Sequence, residues 1–130
     1  KSADISVNPN WVSKITFSEE SAEAAIHALL EHADLPTAIL CIGDAFAIDM
    51  IRGAKARGMK IPEDISVMSL DDLLVSRYLD PPLSTMTFDK ELLGAKSMRL
   101  LYQIIQGAEH ENHNVIYTTP VERESIKTLA

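Results

Sequence analysis

Apolar positions along the chain follow two spacings in turn. From Ser18 to Ala33 they recur every three or four residues, at Ala25, Ile26, Leu29, Leu30 and Ala33, which predicts an amphipathic helix. Ser18 is placed to cap it, and Glu19 and Glu20 suit the positive end of its dipole. Asp34-Leu35-Pro36 ends it. "TAILCI", Thr37 to Ile42, is a continuous apolar run, as expected of a strand buried on both faces. Gly43-Asp44 then turns the chain into a second helix. Asp44 is its expected N-cap, Ala47, Ile48, Ile51 and Ala54 form its apolar side, and Gly58 follows its end.

The alternation continues. Ile65 to Leu70 predicts a second buried strand, Asp72 to Tyr78 a short helical turn, and Asp80-Pro81-Pro82 a break. Leu83 to Phe88 is extended. Asp89 caps a long helix to Gln106, with Leu93, Leu100, Leu101, Ile104 and Ile105 expected inward and Gly107 closing it. After the polar loop "AEHENHN", the runs "VIYTT" and "VERESI" read as strands. This order predicts an α/β domain, a mostly parallel sheet with helices on both faces. Ligands of such sheets lie at the carboxyl ends of the strands, where Gly43-Asp44 and Asp71-Asp72 both fall.

Composition narrows the classes. The 130 residues suffice for one domain with a real core, and 46% apolar with 24% charged residues reads as globular rather than disordered. Nineteen acidic against twelve basic residues, a net charge of −7, argue against this segment gripping DNA or an anionic membrane surface. No stretch is long and apolar enough to span a membrane. Cys41, the single cysteine, fits a reducing intracellular compartment. The opening "KSADISVNPNW" has no initiating Met and no signal-peptide core, so residues 1–130 are expected to be a piece of something longer.

One set of residues is more specific. Pro36-Thr37-Ala38 opens a strand, and Asp44 and Ala47 open a helix. Arg57-Gly58, Ile61 to Val67 ("IPEDISV"), Asp71-Asp72, Tyr78 and Pro81 to Thr85 ("PPLST") follow. Leu93-Gly94 sits in the long helix and Arg123-Glu124-Ser125 near the end. This constellation, over roughly Ile15 to Ile126, resembles the lactose-repressor (LacI/GalR) family of bacterial transcription regulators. The resemblance implies the C-terminal lobe of a periplasmic-binding-protein-like effector domain: a Rossmann-like, three-layer α/β lobe without catalytic activity. It implies a cytoplasmic homodimer that binds a small effector, sugar or purine-like, between two lobes. Operator DNA would be gripped only through an N-terminal helix-turn-helix outside this chain, and no cofactor or membrane partner is implied.

Carried over by residue, the resemblance implies ligand contacts at Phe17, an aromatic platform just before the Glu19-Glu20 helix, and at Asp71, a carboxylate accepting from the effector. It also places Gly43 and Asp44 at the site. Gly43 stands where many sugar-responsive members have Asn, which removes a polar contact and leaves a non-sugar effector open. Ser69-Leu70 departs from the family's usual Gly and aromatic. Ile48, Ile51, Leu73, Leu74 and Leu79 are the expected dimer surface. Each position also has a plainer role: Phe17 in the core, Asp44 and Asp71 as helix caps, Asp72 in capping and solvent, the aliphatic residues as core. No metal site is expected, because His110 and His113 lie in a polar loop without enough fixed ligands. Two other functions share the architecture, an exported solute-binding protein and a receiver-like phosphoacceptor in which Asp44 joins Asp71 and Asp72. Against the second, no Lys closes the strand "STMTF", and no G-x-S-x-G or phosphate loop is present.

Overall fold

A computed structural model describes residues 7–16 and 18–128. Its elements are a 3-10 turn Pro9–Trp11, helix α1 Glu19–Leu30, strand β1 Ala38–Leu40, helix α2 Asp44–Ala56 and strand β2 Ser66–Leu70. A 3-10 turn Leu74–Tyr78, strand β3 Ser84–Phe88, helix α3 Lys90–Ile105 and strand β4 Thr118–Val121 complete them. The sheet order is β1-β2-β3-β4. β1 to β3 run parallel, with Ala38 opposite Ser66 and Met68 opposite Ser84, and β4 returns antiparallel to β3 with Met86 opposite Pro120. The α/β reading with a mostly parallel sheet therefore holds.

The expected caps form. The Ser18 side chain accepts from the Ser21 N–H, and the Asp89 side chain accepts from the Leu92 N–H at 2.8 Å. Gly58 follows α2 at φ +77°, a left-handed turn that costs glycine nothing sterically. The core lies between α2 and the sheet: Met50, Ile51, Ala54, Ile65, Val67 and Leu83 are buried, with α1 adding Leu30. Full burial of one such aliphatic side chain contributes about 1.5–3 kcal/mol.

Several expectations change. Gly43, not Asp44, is the N-cap of α2, with no side-chain cap bond, and Asp44 is the first helical residue. β1 spans only three residues and leaves Leu40 and Ile42 exposed, so it is not covered on both faces. "VERESI" forms no strand beyond Val121; its residues instead lace the sheet by side-chain bonds. The apolar side of α3 does not point into the core: α3 has no buried residue, and Leu93, Leu101, Ile104 and Ile105 are exposed. The 3.6-residue stripe is present but has no covering layer among the described residues.

Replacing fully buried Leu83 by Ala is expected to lower stability by about 2–5 kcal/mol through lost burial and a cavity. Tyr117→Ala, at a residue 84% exposed, should stay within about 0.5 kcal/mol. Urea denaturation of the two variants gives the comparison.

Candidate functional site

The carboxyl ends of β1 and β2 lie side by side because the strands are parallel neighbours. Each ends in acid: Gly43-Asp44 follows β1, and Asp71-Asp72 follows β2 directly. The three carboxylates have different environments.

Asp44 has no exposed surface. Its Oδ1 accepts from the Ser69 hydroxyl and, at 2.7 Å, from the Thr85 hydroxyl. Its Oδ2 accepts from the Ser76 hydroxyl and, at 2.7 Å, from the Leu73 N–H. Burial alone pushes the Asp44 carboxyl up, but the four donors outweigh it and hold it below the usual carboxylate range. Both oxygens of Asp44 are thus saturated by the protein's own donors.

Asp72 is neither a helix cap nor a solvated acid. Its Oδ1 accepts from Arg123 Nη2 at 2.6 Å, with side chains only 17% and 15% exposed. The 3-10 turn behind it starts at Leu74, with Leu73 in the cap position.

Asp71 is half-buried at the strand end, and no donor among the described residues reaches its carboxylate. It stands at φ +110°, outside the regions that side-chained residues prefer, and Asp72 follows at φ +47°. The Asp71 N–H donates to the Met86 carbonyl at 2.9 Å. Gly43 is next to it: a Cβ there would come within 2.9 Å of Asp71 Oδ2. The backbone of Gly43 is extended, so glycine is required for this close approach and not for its dihedral angles. Any larger residue at position 43 displaces the Asp71 carboxylate.

Ser69 and Arg123 were the supports that sequence reasoning left without a role. The unusual Ser69-Leu70 now has a reason: the Ser69 hydroxyl is one of the Asp44 donors. The closing Arg123-Glu124-Ser125 was visible as a motif. Its Ser125 hydroxyl donates to the Val67 carbonyl at 2.6 Å and accepts from the Ser84 N–H at 2.7 Å, tying β2 to the start of β3. Phe17 lies outside the described residues.

Of the expected dimer surface, Leu73 and Leu74 are exposed, joined by Val75 and by Tyr78 at 76%. Ile48 is half-buried. Ile51 is buried in the core and Leu79 packs against it, so these two do not offer an open surface. Cys41 lines an apolar cavity of about 120 Å³ with Trp11, Ile26 and Met50, where burial pushes its thiol up to about 12. Among the described residues no group of three or more His, Cys, Asp or Glu is placed to hold a metal, and no helix is long and apolar enough to cross a membrane. A phosphoacceptor built on Asp44, Asp71 and Asp72 is not available, because Asp44 is saturated and Asp72 is paired.

A mostly parallel βα sheet with flanking helices is the architecture of a periplasmic-binding-protein-like lobe. Residues 1–126 match the periplasmic binding protein-like domain, and the chain belongs to that family, on the branch of the lactose-repressor-type regulators. It is 36% identical over 129 residues to the HTH-type transcriptional repressor PurR of Histophilus somni, covering 98% of this chain and 38% of that protein. It is equally 36% identical to the ribose operon repressor of Haemophilus influenzae, covering 98% of this chain and 39% of that protein. The solved complex of the transcriptional regulator CelR with cellobiose matches with a TM-score of 0.83 and 31% identity, over 93% of this chain and 37% of that chain. The chain thus spans under two fifths of the length of these relatives, which are repressors and regulators rather than enzymes.

Asp44→Ala leaves the Leu73 N–H and three hydroxyls without their acceptor, and is expected to cost about 2–4 kcal/mol. Because the folded-state carboxyl is held low, its contribution is complete at neutral pH. It is lost as the pH falls below about 4. Denaturant titrations at stepped pH should show a weaker loss of stability on acidification for Asp44→Asn than for the unsubstituted protein.

Proposed function

We propose that this chain is the effector-binding and dimerisation lobe of a cytoplasmic bacterial transcription repressor. The observation that carries this reading is the division of labour among three strand-end acids. Asp44 is saturated, Asp72 is ion-paired, and Asp71 keeps a carboxylate without donors among the described residues, at the edge where such sheets bind ligands. A carboxylate in that position accepts from two hydroxyls of a sugar or from the N–H groups of a purine. The kinship supports both chemistries, since similar proteins include a ribose operon repressor and a regulator bound to cellobiose, beside PurR. Gly43 admits the carboxylate without adding a polar group, which favours a ligand that needs an acceptor at this point rather than a second donor.

The remaining expectations take their place in the same reading. Phe17 supplies a stacking face. Leu73 and Leu74, with Val75 and Tyr78, supply part of a homodimer surface, consistent with their exposure next to the site. A second lobe closes over the effector, and a separate helix-turn-helix domain reads operator DNA. With a net charge of −7, this lobe itself repels DNA.

The test is a thermal-shift series on the full-length protein with ribose, cellobiose, hypoxanthine and guanine. At a concentration of one hundred times its Kd, a binder stabilises by about 2.7 kcal/mol. Asp71→Ala is expected to abolish that stabilisation while the unliganded midpoint moves little. Stabilisation that survives in Asp71→Ala removes Asp71 from the site.

A further inference from the structure

Two adjacent non-glycine residues with positive φ mark a segment held against its own preference. Such backbone persists only where its surroundings over-determine it, and it concentrates at functional sites. The segment from Asp71 to Leu73 is held from four sides. The Asp71 N–H donates to the Met86 carbonyl, and the Asp72 N–H to the Thr85 hydroxyl at 3.3 Å. The Leu73 N–H donates to Asp44, and Lys90 Nζ donates to the Asp72 carbonyl at 3.2 Å. Among the described residues, the acidic side chains of the segment take part in one bond, accepted by Asp72 from Arg123, fifty-one residues further along.

Arg123 is itself rigidly placed. Its Nη1 donates to the Leu83 carbonyl at 2.7 Å and its backbone N–H to the Ser84 hydroxyl at 2.8 Å, so one side chain bridges the start of β3 and the loop after β2. The planar fork reaches both acceptors at once, which a lysine ammonium on a flexible stem does not do. Turning the Asp72 side chain toward Arg123 fixes the peptide that also carries Asp71. Asp71 is thereby set at φ +110° with its carboxylate close to Gly43.

We propose that Arg123 is a positioning residue of the effector site: through Asp72 it holds the Asp71 carboxylate where the effector meets it. This rests on the reading of Asp71 as the effector's acceptor. Lys90 at the start of α3 holds the Asp72 carbonyl of the same loop, so the ion pair and this bond fix the dipeptide from two elements.

The experiment uses the full-length protein, with Arg123→Met, Arg123→Lys, Asp72→Asn and the Arg123→Met/Asp72→Asn double variant, in conditions where denaturation curves show each fully folded. Hydrogen exchange of the unliganded protein is read at the amides of Asp71, Asp72 and Leu73. Calorimetric titration uses ribose, cellobiose, hypoxanthine and guanine as probes. Arg123→Met is expected to speed exchange at those three amides by about tenfold or more, with the α2 amides unchanged. It is also expected to weaken the binding probe by roughly ten- to a hundredfold. Arg123→Lys should recover part of both effects, and the double variant should be no worse than Arg123→Met alone. Unchanged exchange overturns the proposal, as does faster exchange with unchanged affinity, which would make the pair merely structural. If no probe binds the unsubstituted protein, the effector reading fails by itself. The exchange arm then decides the placement of the Asp71 loop alone, and unchanged rates overturn it.

Discussion

Asp44, at the start of α2, accepts hydrogen bonds from three other segments. Its carboxylate joins the start of α2 to Ser69 at the end of β2, to Leu73 and Ser76 after it, and to Thr85 in β3. A buried anion is costly to desolvate and survives only when its lone pairs are used. Here the use is complete, and the positive end of α2 adds to it. The consequence is geometric. Donors on three segments must all point at two oxygens, so the strand ends, the 3-10 turn and the first turn of α2 have one arrangement relative to each other. The Asp71 loop inherits its position from that arrangement.

Around this centre the acids specialise by what reaches them. Asp44 holds the frame, and Asp72 is neutralised by Arg123. Asp71, with no donor among the described residues, keeps its accepting capacity unused. The separation between Asp71 and Asp72 is achieved within a single dipeptide by backbone strain: φ values of +110° and +47° send consecutive side chains to different surroundings. The closing segment stabilises this from the far side, Arg123 through the ion pair and Ser125 through bonds that join β2 to β3. The lobe thus places its buried polar groups around one strand-end loop.

Hydrophobic surface divides in the same way. The α2 side of the sheet has a closed core built on Met50, Ile65, Val67 and Leu83. The 3-10 turn and α3 instead leave Leu74, Tyr78, Leu101 and Ile105 exposed. Periodicity alone could not separate these two cases, because a stripe that meets a core and a stripe left uncovered by the described residues have the same spacing.

The one-dimensional pattern was enough for what depends on near neighbours. Helices α1 to α3, their caps at Ser18 and Asp89, the left-handed turn at Gly58 and the parallel βα order all follow from periodicity, capping chemistry and the freedom of glycine. The placing of Asp44 and Asp71 at the carboxyl ends of strands followed from that order, and the kinship from the spacing of motifs along it; that the two strands are neighbours is a property of the sheet. Tertiary structure alone decided which acid is saturated, which is paired and which is open. Those outcomes rest on Ser69, Ser76, Thr85 and Arg123, which lie between 25 and 51 residues from their acidic partners. Burial and hydrogen-bond supply are properties of a point in space, and no local pattern of residues carries them.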